Sequence, residues 1–385
     1  MIGDARQQPP AQEDADSDGA QANTQGAFTM NRVPRSTSIA IVLALSLATT
    51  LVLPGNSVAD CTVSLPSPFL VPVSGSLSEI LIDQTCEHVF VTNTSNNQVE
   101  VLSLQSGMLE AAIAVGSAPA GLAMTPDGGT LYVANSGDTT ISVVDLAMGV
   151  EVRQINVPPG FSNDRPFSIA VANNGLALFS TTFAGSGFGG RMMQLDVASD
   201  AVSQRTDFWF FGTTTEITYL KPSGDGSTIA IVAGDISSGP VFTYAAGTDS
   251  FSPERDLNSF VSYIASDAPG STFLVNPGTY VLDSDLNLSG TIFGGGFGVA
   301  LEGSGTIGYR VVASGIDILD PVSFLTIGSL DLGDTVATAS PFNRIGVGRM
   351  AISADGSLLA VITDHGVSVV QTTTAVASSA NPTEP

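Results

Sequence analysis

Residues Pro119–Val157 read PAGLAMTPDGGTLYVANSGDTTISVVDLAMGVEVRQINV. Within them the runs Leu122–Met124, Leu131–Ala134, Ile141–Val144 and Glu151–Val157 are parted by Pro126-Asp127-Gly128-Gly129, by Asn135–Thr140 and by Ala147-Met148-Gly149. β-Branched and aromatic residues between turn formers at this spacing predict four antiparallel strands joined by hairpins. Such a sheet has two apolar faces and cannot bury both alone.

A copy of the stretch lies immediately upstream. Ile80–Ile82, Val89–Asn93, Val99–Leu102 and Gly107 precede Leu122–Met124, Leu131–Asn135, Ile141–Val144 and Gly149 by 42 positions throughout, without a gap. A period of about 40–45 residues with four strands per unit marks a β-propeller, whose blades stack to bury each other's faces. Between Phe69 and Thr372 the period fits seven blades of about 43 residues better than six or eight. The expected blades are 78–115, 120–157, 167–207, 216–256, 261–292, 298–332 and 347–371. The last holds only three strands, ending with Val367–Val370, whereas Phe69–Val73 stands before blade one as Ile113–Val115 stands before blade two. The reading is therefore an all-β, seven-bladed propeller of four-stranded antiparallel blades. An N-terminal strand completes the last blade and leaves no open edge.

VFVTN ending at Asn93 and YVAN ending at Asn135 resemble the YVTN-type repeat, in which a blade runs roughly Pro-x-Gly-Ile-Ala, Pro-Asp-Gly, Tyr-Val-Thr-Asn, Val-x-Val-Ile-Asp. The match is specific in blades one, two and seven and faint elsewhere. The resemblance implies a propeller in a surface or periplasmic setting, in the company of surface-layer and lactonase-like propellers, and speaks to fold more than to activity.

The ends of the chain read differently. Residues 1–29 are polar, acidic and without apolar periodicity, a disordered leader that initiation at Met30 would leave untranslated. Arg32 and Arg35, the apolar run Ile39–Leu53 and the small residues of Ser57-Val58-Ala59 form a secretory signal over 30–59, too short for a membrane span. The mature protein is expected to start at Asp60, with a propeller over 60–372, a disordered tail over 373–385, and a secreted, periplasmic or cell-surface location. The full chain carries a net −24; the leader and signal hold only Asp4, Glu13, Asp14, Asp16 and Asp18 against Arg6, Arg32 and Arg35, so the mature part keeps almost all of it. That field repels phosphate backbones, argues against nucleic-acid binding and favours a soluble monomer. Lys221 is the only lysine. Export makes a Cys61–Cys86 disulfide consistent with the compartment, tying the closing strand to blade one; two unpaired thiols are the other reading.

In a propeller the a–b and c–d turns share one face, while the b–c loops and d–a crossovers share the other. The short turns fall on the first face here, and the long irregular pieces, 158–165, 183–190, 208–215, 234–239, 293–297 and 334–346, fall on the second, where a site is expected. Gly185–Gly190 has dinucleotide-loop spacing but is followed by a strand and not a helix, so no cofactor is expected. Asp14–Gly19 imitates a calcium loop whose bidentate Glu position is Gln25, so no metal is expected. Asp145, Asp196 and Asp320 recur before c–d turns and read as turn caps. His88 and His365 fall on opposite faces, which separates the only two imidazoles, and no catalytic residue is assigned.

The run Phe208-Trp209-Phe210-Phe211 lies on the crossover from blade three to blade four, and at least one ring is expected to be exposed. Trp209, Phe210, Arg165, Arg191, Asn135, Arg349 and His365 are the candidate ligand-binding residues of the loop face. The leading functional reading is an exported binding or scaffold protein for a small molecule, glycan or protein. The alternatives are a lactonase-like hydrolase, whose histidine chemistry there would rest on His365, and a structural surface or adhesion unit.

Overall fold

The computed structural model describes residues 61, 63–160, 165–182, 188–215, 217–234, 236–276, 279–313, 315–339 and 346–374. Residues 1–59, read above as leader and secretory signal, lie outside them, as do nearly all of the tail and most of the glycine-rich 183–190 loop.

Seven antiparallel sheets form the ring. Blade one comprises Leu77–Ile82, His88–Asn93, Gln98–Ser103 and Met108–Ala114. Blade two comprises Pro119–Met124, Thr130–Asn135, Thr140–Asp145 and Val150–Asn156, each strand displaced by the 42 residues of the repeat. Blade three has Arg165–Val171, Leu176–Thr182, Phe188–Asp196 and a short Val202–Gln204, and Thr213–Thr215 pairs with the start of its long third strand. In blade four, Thr218–Pro222, Thr228–Ala233 and Pro240–Ala245 are followed by an outer strand broken into Ser250–Phe251 and Arg255–Asp256. Blades five and six begin at Tyr263–Ser266 and Val299–Leu301 and end at Leu288–Thr291 and Leu325–Asp331. Blade seven holds Met350–Ile352, Leu358–Ile362 and Gly366–Gln371, and its fourth strand is Phe69–Pro72, with Phe69 opposite Val369 and Pro72 opposite Gly366.

Strand alternation explains why the blades stack. Val89 and Val91 of blade one pack against Leu358, Ala360 and Ile362 of blade seven, while Phe90 between them points the other way, onto Leu131 and Val133 of blade two. Tyr132 then faces Ile169, Phe179 and Met193 of blade three. Each sheet is thus apolar on both faces, and the core is a set of wedges between neighbours.

The inner strands have a free hydrogen-bonding edge toward the axis, and hydroxyls from the neighbouring blade cap it. Ser78 Oγ donates to Ala120 O (3.0 Å), as does Thr92 Oγ1 (3.2 Å), and Ser180 Oγ donates to Thr218 O (2.5 Å). Close approach of blades two and three needs a glycine: a Cβ on Gly121 would lie 2.5 Å from Phe167 O.

Candidate functional site

The crossover from blade three to blade four is fixed before it displays anything. Phe208 is 1% exposed and packs edge-on against Phe242 and Phe251. Arg205, buried beneath it, bonds Asp207 (2.7 Å) and Asp249 (2.5 Å) and lies over the Phe251 ring. Those carboxylates, chiefly Asp207, raise the guanidinium pKa against the pull of burial. Trp209 is half-buried against Phe242 and Phe210, and its indole N–H donates to Glu254 (2.7 Å).

Phe210 and Phe211 follow in a single turn, Trp209–Gly212, with φ of 23° and 60°. Two successive bulky residues in the left-handed region are strained, at about 1–2 kcal/mol each. The result is outward projection: Phe210 is 58% and Phe211 87% exposed. Two neighbouring crossovers on the same face carry exposed rings as well, Phe260 between blades four and five (42%) and Phe293 between blades five and six (90%). Phe260 and Phe293 went unnoticed in the sequence because a lone phenylalanine in a loop carries no pattern; their place on successive crossovers was the available signal.

The other candidates separate into four places. Arg165 is exposed at the start of blade three, and Arg191 donates to Pro158 O (2.7 Å). Asn135 is fully buried: Nδ2 donates to Thr140 and Ser142, both at 2.9 Å, and Oδ1 is enclosed without a hydrogen-bond partner, so it braces the b–c turn and offers no atom to a ligand at the surface. Asn93 plays the same part, donating to Ser74 O (2.9 Å) and Glu100 (2.7 Å). The turn caps are plain: the Asp196 carboxylate accepts from the backbone of Ala198 and Ser199, and that of Asp320 from Val322 and Ser323.

His365 is exposed on the b–c turn of blade seven, with Nδ1 2.8 Å from Asp334 and its backbone N–H 3.2 Å from the same carboxylate. Its sequence neighbour Asp364 is engaged elsewhere, accepting from Thr335 and Thr338 and so clasping the crossover from blade six. Asp334 holds the imidazole above its ordinary 6.5. Because the folded value is raised, stabilisation by this pair is complete below the unfolded pKa near 6.5 and is lost as pH rises through the folded value. An NMR titration should therefore find His365 above 6.5 in the wild type and shifted back toward that value in Asp334→Asn. Titration of the wild type at or below 6.5 would refute the pairing.

Arg349 lies on the ring axis, among residues that were not expected there. Just before the inner strand of blade seven and 3% exposed, it places its guanidinium carbon 3.8 Å from the Tyr219 ring centre and 3.9 Å from that of Tyr263. Glu79 of blade one, 5% exposed, lies 3.7 Å from Arg349 Nη1 and 4.0 Å from Lys221 Nζ of blade four. The two tyrosine rings stack at 4.7 Å, and Tyr263 Oη donates to Met350 O (3.2 Å) across the ring. Burial, with Glu79 nearby, pushes the Tyr219 hydroxyl well above its usual pKa and keeps it protonated. Burial lowers the pKa of Lys221, but Tyr263 and Glu79 outweigh it and the ammonium is held above its usual value. Side chains from blades one, four, five and seven thus meet at the centre.

Solved structures similar to the ring include Kuenenia stuttgartiensis hydrazine synthase, with a TM-score of 0.55 and 18% identity over 83% of this chain and 99% of that one. Another is the Cps50 (Swd1) β-propeller domain of Myceliophteria thermophila, with a TM-score of 0.58 and 12% identity over 80% of this chain and 99% of that one. Likeness at these identities shows the propeller fold and carries no chemistry. No family model and no curated protein matches the chain. Among the described residues no helix is long and apolar enough to cross a membrane.

Proposed function

We propose that the protein is an exported, non-catalytic scaffold whose loop face docks a partner protein through Phe210, Phe211, Phe260 and Phe293. The observation that carries this reading is the display of four exposed rings on three successive crossovers, two of them in left-handed backbone. Exposed aromatics held on a braced loop are suited to be anchors of an interface, because little side-chain entropy remains to be lost. Spread over three blades, they suit a broad protein surface better than a small molecule. Export rests on the secretory segment and agrees with the disulfide; the YVTN-type resemblance supports the same setting.

Backbone strain supplies the test. Phe211→Gly removes the ring and lets residue 211 adopt its φ of 60° without a Cβ penalty. Urea unfolding should show the variant unchanged or more stable by about 1 kcal/mol, after the entropic cost of glycine is set against the relieved strain. A photo-crosslinking residue at 293 in the otherwise wild-type chain should capture one protein species in the native envelope, and Phe211→Gly should reduce that capture. Capture that is unchanged by Phe211→Gly, or equal from the turn-face position 148, would overturn the reading.

A further inference from the structure

We propose that the ring axis holds a small monovalent anion, best matched by a carboxylate, on the Arg349 guanidinium with Lys221 beside it and the Tyr219 and Tyr263 rings as walls. This goes beyond the loop-face reading and does not depend on it. Four observations converge. Arg349 is 97% removed from solvent by its 3% exposure, yet neither Nη1 nor Nη2 has a hydrogen-bond partner. Burying guanidinium N–H groups without an acceptor is costly, and the tyrosine faces offset the charge but accept no conventional hydrogen bond. The nearest carboxylate, Glu79, is 3.7 Å from Nη1, beyond hydrogen-bond length, and is shared with Lys221 at 4.0 Å. Two cations therefore face one carboxylate, and a single negative charge would balance them.

Geometry selects the ligand class. Both terminal nitrogens of Arg349 are unpartnered, and together they form the planar fork that a carboxylate accepts in two parallel bonds. A halide can occupy the same fork with less directional fit. A phosphate dianion would overcompensate the one unbalanced charge. The cluster lies toward the loop-face end of the axis: the inner strands run from that face toward the turn face, Arg349 precedes its strand, Tyr263 opens its strand, and Tyr219 is second in its own. In a chain of net −24, this locally positive cluster is where an anion is tolerated.

The test is thermal unfolding at constant ionic strength, with sodium acetate or sodium chloride titrated against sodium HEPES, whose bulky sulfonate is the reference anion. The wild type should show a saturable rise in Tm of about 2 °C at tenfold excess over the midpoint. Acetate acting at lower concentration than chloride identifies the carboxylate fork, and equal response identifies a general monovalent site; both support the proposal. The rise should vanish in Arg349→Met and in Lys221→Met, the second serving if the first does not fold. It should persist in Arg255→Met, an exposed arginine of the blade-four rim. Crystals grown in sodium bromide should show an anomalous peak against the Arg349 nitrogens. Absence of any rise, an equal rise in all variants as general screening would give, or no axial bromide peak would overturn it.

Discussion

Glu79→Gln is expected to destabilise the folded ring by about 3–5 kcal/mol, a large effect for the loss of one formal charge. Glu79 is the carboxylate between Lys221 and Arg349, 5% exposed on the inner strand of blade one. Glutamine keeps its volume, so packing against Ile80 and Thr92 should survive; what is lost is the counter-charge of the buried Arg349 and of Lys221, whose side chain is partly exposed. Breaking a buried pair is far costlier than never building it, because the desolvated partner is left uncompensated. Urea unfolding measures the loss, and Glu79→Gln combined with Lys221→Met should recover part of it, giving a coupling energy between the two positions. A loss below about 1 kcal/mol would mean that the axial charges are solvated and that the cluster does not hold the blades together.

The effect is large because of where the ring brings distant segments together. Glu79, Lys221 and Arg349 belong to blades one, four and seven, and their proximity exists only when the circle is closed. That is why the cluster was not legible from the sequence. The blades were: the strands of blades one and two match at an offset of 42 residues in all four positions, since a repeated unit repeats its turns. Closure by Phe69–Pro72 followed from a strand missing at one end and in excess at the other. Pairing across the axis has no such local signature. A trace was present, however: Glu79 interrupts the apolar inner strand LSEILI, and the only lysine of the chain sits in another inner strand, among mostly buried neighbours.

The aromatic run shows the opposite limit. Its composition marked the crossover, yet composition could not tell which rings turn inward. The structure divides them by backbone: Phe208 is extended and buried, Trp209 is held by Glu254, and the left-handed turn throws Phe210 and Phe211 outward. Left-handed conformation in two bulky residues runs against their own preference, so no local rule applied to WFF would have found it. Asn135 errs the other way. Its place at the end of a b strand suggested the loop face, but the pleat turns its amide inward to Thr140 and Ser142.

Removing the Cys61–Cys86 bond, by Cys61→Ser with Cys86→Ser or by reduction, is expected to lower stability by about 3 kcal/mol, measured by urea unfolding. The two residues are joined with Cα atoms 5.3 Å apart and a sequence separation of 25, and the sequence holds no other cysteine to exchange with. The bond acts at the seam of the ring. Cys61 N–H donates to Asp355 (2.8 Å) and Cys61 O accepts from Ser357 (3.2 Å), so its backbone is already fastened to the a–b turn of blade seven, while Cys86 lies in the a–b turn of blade one. The strand it precedes pairs over only four residues, Phe69–Pro72, and is followed directly by blade one. Without the cross-link, the unfolded chain regains the freedom of that loop, and the closing strand is held by its four-residue ladder, Gln371 and the core beneath it. Hydrogen exchange should therefore localise the early opening of the reduced protein to Phe69–Pro72 and its partner Gly366–Gln371, leaving blade two protected. Uniform exchange across the ring, or an unchanged midpoint on reduction, would show that closure rests on the ladder and the core alone.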